Sequence, residues 1–184
     1  AGLIATSGFS SSTIAQSTDL LHRTIHSTGE KVPAVGLGTA LEFGDITANY
    51  SKRKNAIKAL IREGGKVIDT SPTYSNAEKI VGRSRDELGA RDKCFLATKI
   101  SVRGDKKEGI DQSIQSYKDL KTNSFNLLQV HNLRGTKAHL ETINALKKEG
   151  KVSYTGVTHF RDSQNEDAAR VIENNKIDFI QCHY

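Results

Sequence analysis

The chain has 184 residues, of which 36% are apolar and 26% are charged, and its formal net charge is +6. This composition is typical of one globular domain, and no run of about eighteen apolar residues occurs, so we predict no membrane-spanning helix. Lysine and arginine are scattered among acidic residues rather than clustered, so we predict no nucleic-acid partner.

The first residues differ in composition from the rest. Residues 1–16 are rich in Ala, Ser, Gly and Thr, and Thr13-Ile14-Ala15 has the small-x-small form of a signal-peptidase site. We therefore treat residues 1–20 as a leader, either a disordered segment or the remnant of a signal peptide. The expected location is cytoplasmic in the first case and periplasmic or otherwise exported in the second. No linker interrupts residues 21–184, which we interpret as one domain.

A β-hairpin opens this domain, followed by a strand-then-helix alternation with a period of about 26 to 32 residues, the size of one βα unit. The hairpin consists of residues 24–26 and 31–33, with Gly29 in the turn. The predicted core strands are residues 32–39, 66–69, 94–99, 126–130, 152–157 and 179–184. The predicted helices are residues 51–63, 75–88, 107–120, 136–149 and 165–174.

Two helices carry more specific signals. The segment Ser75-Asn76-Ala77-Glu78 has the form of a capping box at the start of the second helix. The third helix has an apolar stripe, which we expect to be buried. The stripe consists of Ile110, Ile114, Tyr117 and Leu120.

The strands are short and apolar without clean alternation, which is typical of strands buried by helices on the outside. An eight-unit barrel needs about 250 residues, whereas a doubly wound open sheet would need no more chain than this. However, Gly36-Leu37-Gly38-Thr39-Ala40-Leu41 has only the first two glycines of the dinucleotide-binding fingerprint, and no helix start follows directly. The pattern therefore gives little support to an open Rossmann sheet.

Four polar residues lie at the ends of three successive predicted strands. Asp69 closes one strand and Tyr74 follows in its loop, while Lys99 and His131 close the next two. If these strands are neighbours in a barrel, the four side chains converge on one rim, where barrel enzymes place their active sites.

Five segments that include these residues resemble the aldo-keto reductase family, over residues 25–184. The segments are residues 29–39, 68–74, 97–99, 127–132 and 150–157. The resemblance implies an α/β fold, a (β/α)8 TIM barrel that is incomplete here and whose bottom is capped by the hairpin. It also implies reduction of a small-molecule aldehyde or ketone with NADPH, NADH being the alternative cofactor.

The four residues suit that chemistry. A phenol has a free pKa of about 10 and is a weak acid, so we expect the Lys99 ammonium to lower the pKa of Tyr74, the proton donor. Asp69 can form an ion pair with Lys99, and His131 can orient the carbonyl oxygen or assist proton transfer. These roles agree with those that the resemblance implies.

The resemblance also suggests residues that contact the cofactor. Gln181 matches a glutamine that contacts the nicotinamide amide, while His159 stands where many members have asparagine. The complete set of predicted cofactor-binding residues is Gly38, Thr39, Asp69, Thr158, His159 and Gln181. No metal site is predicted, because His22 and His26 are spaced for a helix that the pattern does not support.

The family's last two strands, with the loops that bind the cofactor pyrophosphate and adenine, have no counterpart in these residues. We therefore expect this chain alone to bind NADPH weakly or not at all. Three interpretations remain open: a truncated reductase inactive by itself, a barrel completed by another chain, or a non-catalytic redox-sensing or regulatory subunit. The sequence makes no prediction of oligomeric state.

Overall fold

The computed structural model describes residues 20–44 and 49–182. Nearly all of the predicted leader, and the last two residues of the predicted sixth core strand, lie outside the described residues. Among the residues that are described, no helix combines the length and the apolar character that crossing a membrane requires.

Eight strands and five α-helices make up the described fold. The strands are β1 (His22–Thr24), β2 (Lys31–Pro33), β3 (Leu37–Gly38), β4 (Val67–Asp69), β5 (Phe95–Ile100), β6 (Phe125–Val130), β7 (Val152–Thr158) and β8 (Phe179–Gln181). The helices are α1 (Tyr50–Arg62), α2 (Ala77–Glu87), α3 (Lys106–Asp119), α4 (Thr136–Lys148) and α5 (Asn165–Asn174).

The main sheet contains six parallel strands in chain order, from β3 to β8, and one helix connects each pair of neighbours. Parallel strands in sequential order with helical crossovers are the arrangement of a (β/α)8 barrel. The six strands form a curled part of such a barrel, which confirms the predicted fold. All their carboxyl ends lie at one rim.

Two apolar cores lie on opposite faces of this sheet, because successive side chains of a strand point to opposite faces. Leu96 and Leu128 point outward to the helices, where they pack in one cluster with Ile80. Their strand neighbours Phe95 and Leu127 pack in the second cluster, inside the curl. Burial on both faces explains why the strands read as apolar runs without alternation.

The β1–β2 hairpin closes the amino-terminal end of the curl. Its Ile25 and Val32 are buried in the inner cluster. The Tyr154 hydroxyl on β7 holds the turn, since it donates to the Glu30 carboxylate and lies 2.7 Å from Thr28 Oγ1. The predicted hairpin is confirmed, although its first strand is His22–Thr24 and not residues 24–26. It lies at the end of the curl opposite the carboxyl rim.

The predicted strand over residues 32–39 is wrong as one element. Its first part belongs to β2, which pairs antiparallel with β1, and only Leu37–Gly38 joins the main sheet beside β4. Between them the chain crosses from the hairpin to the sheet past Gly36, where an added Cβ would lie 2.8 Å from Val67 Cβ. The other core strands and the helices occur where predicted, with ends shifted by no more than two residues, apart from the last strand, described as Phe179–Gln181.

The capping box predicted at residues 75–78 is also wrong. Ser75 has a φ of 52°, and Asn76 is the N-cap of α2 without a side-chain cap hydrogen bond. The Glu78 carboxylate faces the interior instead, where it accepts hydrogen bonds from Thr98 Oγ1 at 2.6 Å and Ser116 Oγ at 3.0 Å. The Glu78 side chain therefore forms tertiary hydrogen bonds and does not cap the helix.

Helix α3 buries its predicted stripe only in part: Leu120 and Tyr117 pack in the outer core, but the rest of the buried face is different. Ile114 is 45% exposed, whereas Gly109, Ser113 and Ser116 are buried. Small residues are needed there because α3 packs closely on its neighbours; a Cβ on Gly109 would lie 2.7 Å from His139 Nδ1. The predicted apolar stripe is thus partly a surface feature.

Candidate active site

The four predicted catalytic residues meet at the carboxyl rim of the sheet. Asp69 ends β4, Lys99 is the penultimate residue of β5, and His131 follows directly after β6. Since β4, β5 and β6 are consecutive neighbours, their side chains converge at this rim. Tyr74 lies in the loop between β4 and α2 and reaches the same place.

Lys99 and Asp69 form a buried ion pair. Lys99 Nζ lies 2.9 and 2.8 Å from the two Asp69 carboxylate oxygens and donates to the Thr70 carbonyl at 2.8 Å. The Lys99 side chain is 1% exposed and that of Asp69 is 22% exposed. Burial lowers the pKa of Lys99, and the negative charge of Asp69 opposes that shift.

Tyr74 lies between the ion pair and the imidazole. Lys99 Nζ is 5.1 Å from the centroid of the Tyr74 ring, and the His131 ring meets it edge-on, with centroids 5.9 Å apart. Burial and then the negative charge of Asp69 raise the pKa of Tyr74, against the lowered pKa expected from the sequence. The Lys99 ammonium, which is paired with Asp69, is not enough to reverse this shift.

Three hydroxyl groups surround Nδ1 of His131. Ser101 Oγ lies 2.7 Å from that nitrogen, Ser71 Oγ lies 3.3 Å away and Thr73 Oγ1 lies 3.4 Å away. Burial, and then the positive charges of Lys99 and Arg134, lower the pKa of His131 to about 4. The ring is therefore neutral at pH 7, with one nitrogen that accepts and one that donates.

One cavity connects most of the predicted residues. It has a volume of about 430 Å³. Its lining includes Tyr74, Lys99 and His131 from the catalytic set, and Thr158, His159 and Gln181 from the cofactor set. Asp69, Gly38 and Thr39 are not part of this lining; Asp69 and Gln181 border a second cavity inside the curl, of about 300 Å³.

The predicted cofactor residues differ in how free they are to bind a ligand. The hydroxyl of Thr158 accepts from the Asn132 backbone N–H at 2.9 Å, so it already has a partner. His159 is only 5% exposed, and within the described part of the chain its Nδ1 has no hydrogen-bond partner. Gly38 is exposed, and a Cβ added there would meet no heavy atom within 4 Å, whereas Thr39 is buried against the Asp69 carbonyl.

Sequence reasoning missed the residues that hold the catalytic side chains in place. Ser101 follows Lys99 by two residues, and Gln129, which donates to Asp69 Oδ1 at 3.3 Å, precedes His131 by two. Because strand side chains repeat with a period of two, counting along β5 and β6 could have identified both. Ser71 carried no such signal.

The fold and the site together define a barrel protein whose carboxyl rim holds a phenol, an ion-paired ammonium and a neutral imidazole in one cavity. The chain belongs to the aldo/keto reductase family, whose family model matches residues 34–184. This is a family of oxidoreductases that generally reduce carbonyl compounds with NADP(H).

Two curated relatives agree with this assignment. Aldo-keto reductase YhdN of Bacillus subtilis (strain 168) is 28% identical over 159 residues, which are 78% of this chain and 48% of the relative. Methylglyoxal reductase YeaE of Escherichia coli (strain K12) is 32% identical over 136 residues, which are 70% of this chain and 46% of the relative. The chain thus spans about half the length of the curated relatives that it matches.

Solved structures show the same fold. An aldo/keto reductase from Klebsiella pneumoniae, in complex with NADP and acetate, superposes with a TM-score of 0.67 and 25% identity, over 80% of this chain and 52% of that one. The thermostable aldo-keto reductase Tm1743 superposes with a TM-score of 0.75 and 22% identity, over 90% of this chain and 63% of that one.

Proposed function

We propose that a complete barrel that includes these residues reduces small aldehydes and ketones to alcohols with NADPH as the hydride donor, whereas we expect these residues alone to bind NADPH weakly or not at all. The observation that carries the proposal is that Tyr74, Lys99 and His131 line a single cavity at the carboxyl rim of the sheet. The names of two relatives support it: one is a methylglyoxal reductase, and the other has been solved with NADP. That complex also favours NADPH over NADH.

The residues near the cavity fit the nicotinamide end of such a cofactor. His159 offers a buried nitrogen without a partner among the described residues, and Gln181 offers an exposed amide on the neighbouring strand. The space at Gly38 lets a ligand approach the backbone closely. Thr158, His159 and Gln181 would hold the nicotinamide group, and Gly38 would line its approach, while the buried Thr39 would hold the Asp69 backbone behind it. When bound, the cofactor supplies a hydride to the carbonyl carbon.

Tyr74 donates the proton to the carbonyl oxygen. Its raised pKa keeps the phenol protonated at neutral pH. As the proton leaves, negative charge develops on the phenol oxygen, and the nearby Lys99 ammonium stabilises that charge. Asp69 holds the ammonium in position.

His131 orients the carbonyl group. In this role Nδ1 accepts from one of the surrounding hydroxyls, which can donate, and Nε2 carries the proton. Because the lowered pKa keeps the ring neutral, Nε2–H can donate to the substrate oxygen without placing a second positive charge beside Lys99. This hydrogen bond polarises the carbonyl and places its oxygen near Tyr74.

Substitution of Tyr74 tests the proposal. We expect Tyr74→Phe to lower turnover of an aldehyde by about 10²- to 10⁴-fold, the usual contribution of a positioned acid, while NADPH binding is retained. Tyr117→Phe is the matched control, since Tyr117 lies on α3 and its hydroxyl donates to the Lys151 carbonyl, away from the rim. Consumption of NADPH, followed by absorbance, gives the rate, and fluorescence titration gives the affinity.

Two outcomes would contradict the proposal. A Tyr74→Phe protein that keeps the wild-type rate would contradict the proposed role of Tyr74. A wild-type protein that binds NADPH without reducing any carbonyl compound would favour the alternative of a redox-sensing or regulatory subunit.

A further inference from the structure

Three arginines line a third cavity, which lies at the same rim as the catalytic one. Arg103 follows β5, Arg134 follows β6 and Arg161 follows β7, so three successive loops each contribute one guanidinium group. The cavity has a volume of about 570 Å³. Its remaining lining is polar or small, apart from Leu133 and Phe160.

The three arginines have no acidic partner among the residues that the structure describes, although several other surface arginines form ion pairs. Arg161 instead stacks on Phe160, 4.9 Å from its ring centroid. Asp162, next in sequence, does not line the cavity. Three like charges around one space repel each other unless an anion is bound among them.

This cavity adjoins the catalytic one. Asn132 and Phe160 line both. The positive charge of Arg134 also contributes to the lowered pKa of His131, in keeping with the position of Arg134 three residues after the imidazole. A group bound among the arginines would therefore lie beside a carbonyl positioned by His131.

We propose that the carbonyl substrate carries an anionic group, a carboxylate or a phosphate, which Arg103, Arg134 and Arg161 bind while the carbonyl lies between Tyr74 and His131. The proposal rests on the reductase function proposed above. A planar guanidinium pairs two N–H groups with two oxygens of such an anion, and loops from three directions can surround it. The arginine cluster thus selects acidic carbonyl compounds over neutral ones.

The alternative ligand for the arginine cluster is a phosphate group of the cofactor, which presents the same anionic oxygens as the substrate group. The predicted cofactor residues lie at the ends of β3, β4, β7 and β8, whereas two of the three arginines lie on the loops after β5 and β6. The position of Arg103 and Arg134 favours the substrate. The experiment separates the two sources through the KM for NADPH.

The test compares two aldehydes that differ in charge, para-formylbenzoate and its neutral methyl ester. We expect the wild-type protein to have a kcat/KM about tenfold or more higher for the acid, the effect of one or more hydrogen bonds to a charged group. In Arg134→Gln and Arg161→Gln this ratio falls toward one and the KM for NADPH stays constant. The control Arg62→Gln, a paired surface arginine at the end of α1, keeps the wild-type ratio.

Equal kcat/KM values for the acid and the ester in the wild-type protein would overturn the anion site and leave the reductase function standing. A raised KM for NADPH in the arginine variants would assign the cluster to the cofactor and also overturn the proposal. If neither aldehyde is reduced, the proposed function fails, and a binding experiment tests the anion site separately. In that case we expect para-hydroxymethylbenzoate to shift the NMR signals of the His131 ring in the wild-type protein but not in Arg134→Gln. No shift in the wild-type protein would overturn the anion site.

Discussion

The ion pair between Lys99 and Asp69 is asymmetric, and the asymmetry decides how each partner responds to substitution. Lys99 is almost completely buried, whereas Asp69 keeps some contact with solvent and accepts a further hydrogen bond from Gln129. An unpaired buried ammonium is far costlier than a carboxylate that water still reaches. The two partners are therefore not equivalent for stability.

We expect Asp69→Asn to be the more destabilising change, by about 3 kcal/mol or more, because it leaves Lys99 buried without its counter-charge. Lys99→Met removes the buried charge altogether, so we expect a smaller loss. Urea unfolding followed by circular dichroism gives both values. As a control, Lys107→Met breaks an exposed pair with Asp111 and leaves the midpoint unchanged. A larger loss in Lys99→Met than in Asp69→Asn would contradict this account of the pair.

Two buried groups give folding stability opposite dependences on pH. Burial raises the pKa of Glu78 from 4.5 to about 7, so the folded state holds a proton that the unfolded state has lost, and this stability disappears as pH rises through that range. His131 has a pKa lowered from 6.5 to about 4, so its contribution is lost as pH falls through that range. The two effects oppose each other where the ranges overlap.

Glu78→Gln tests this balance. The variant keeps a side chain that accepts from Thr98 but no longer titrates. We expect its free energy of unfolding to rise with pH between about 4.5 and 6.5, relative to wild type, by up to about 1.4 kcal/mol per pH unit. Thermal melts across this range provide the measurement. Parallel pH profiles for the two proteins would show that Glu78 does not titrate as described.

The sequence predicted the positions of the proposed catalytic residues better than their electrostatics. Asp69, Lys99 and His131 could be located because the ends of neighbouring parallel strands must share a rim. The direction of the pKa shift of Tyr74 could not, because it depends on how completely Asp69 neutralises Lys99 and on how deeply the phenol is buried. Both are properties of packing.

At the scale of elements, helices α2 and α3 pack through backbone contact. A Cβ on Gly82 of α2 would lie 2.1 Å from the Asp119 carbonyl oxygen and 2.8 Å from the Leu120 backbone. This close approach brings Glu78 within reach of Ser116 and explains why α3 presents small residues to its neighbours. A helical stripe of apolar residues could not predict this, because the stripe carries no information on the distance between helices.

Gly82→Ala should therefore destabilise the fold, although alanine is the better helix former. We expect a loss of about 1–3 kcal/mol, the usual cost of overpacking, since the opposing atoms are backbone and cannot rotate away. Gly38→Ala serves as the control for stability, because a Cβ added there meets nothing within 4 Å. Equal melting temperatures for Gly82→Ala and wild type would mean that the two helices move apart at little cost.

At the scale of the whole molecule, the two ends of the curled sheet differ in the residues that they gather. The hairpin fills the amino-terminal end with apolar side chains and the Tyr154 hydrogen bonds. The carboxyl end gathers the titratable residues and three arginines on its loops. Periodicity and turn residues were sufficient to predict the layered βα organisation, whereas the arginine cluster depends on loop geometry that no periodicity encodes.

The central claim is that this scaffold delivers a hydride and a proton to a carbonyl group. Mass spectrometry of the alcohol formed from an aldehyde and NADPH deuterated at the transferred position tests the claim most directly. We predict one deuterium on the carbinol carbon for the wild-type protein, and at least about 10²-fold less product in the same time for Tyr74→Phe. An alcohol without deuterium, or equal yields from the two proteins, would contradict the account.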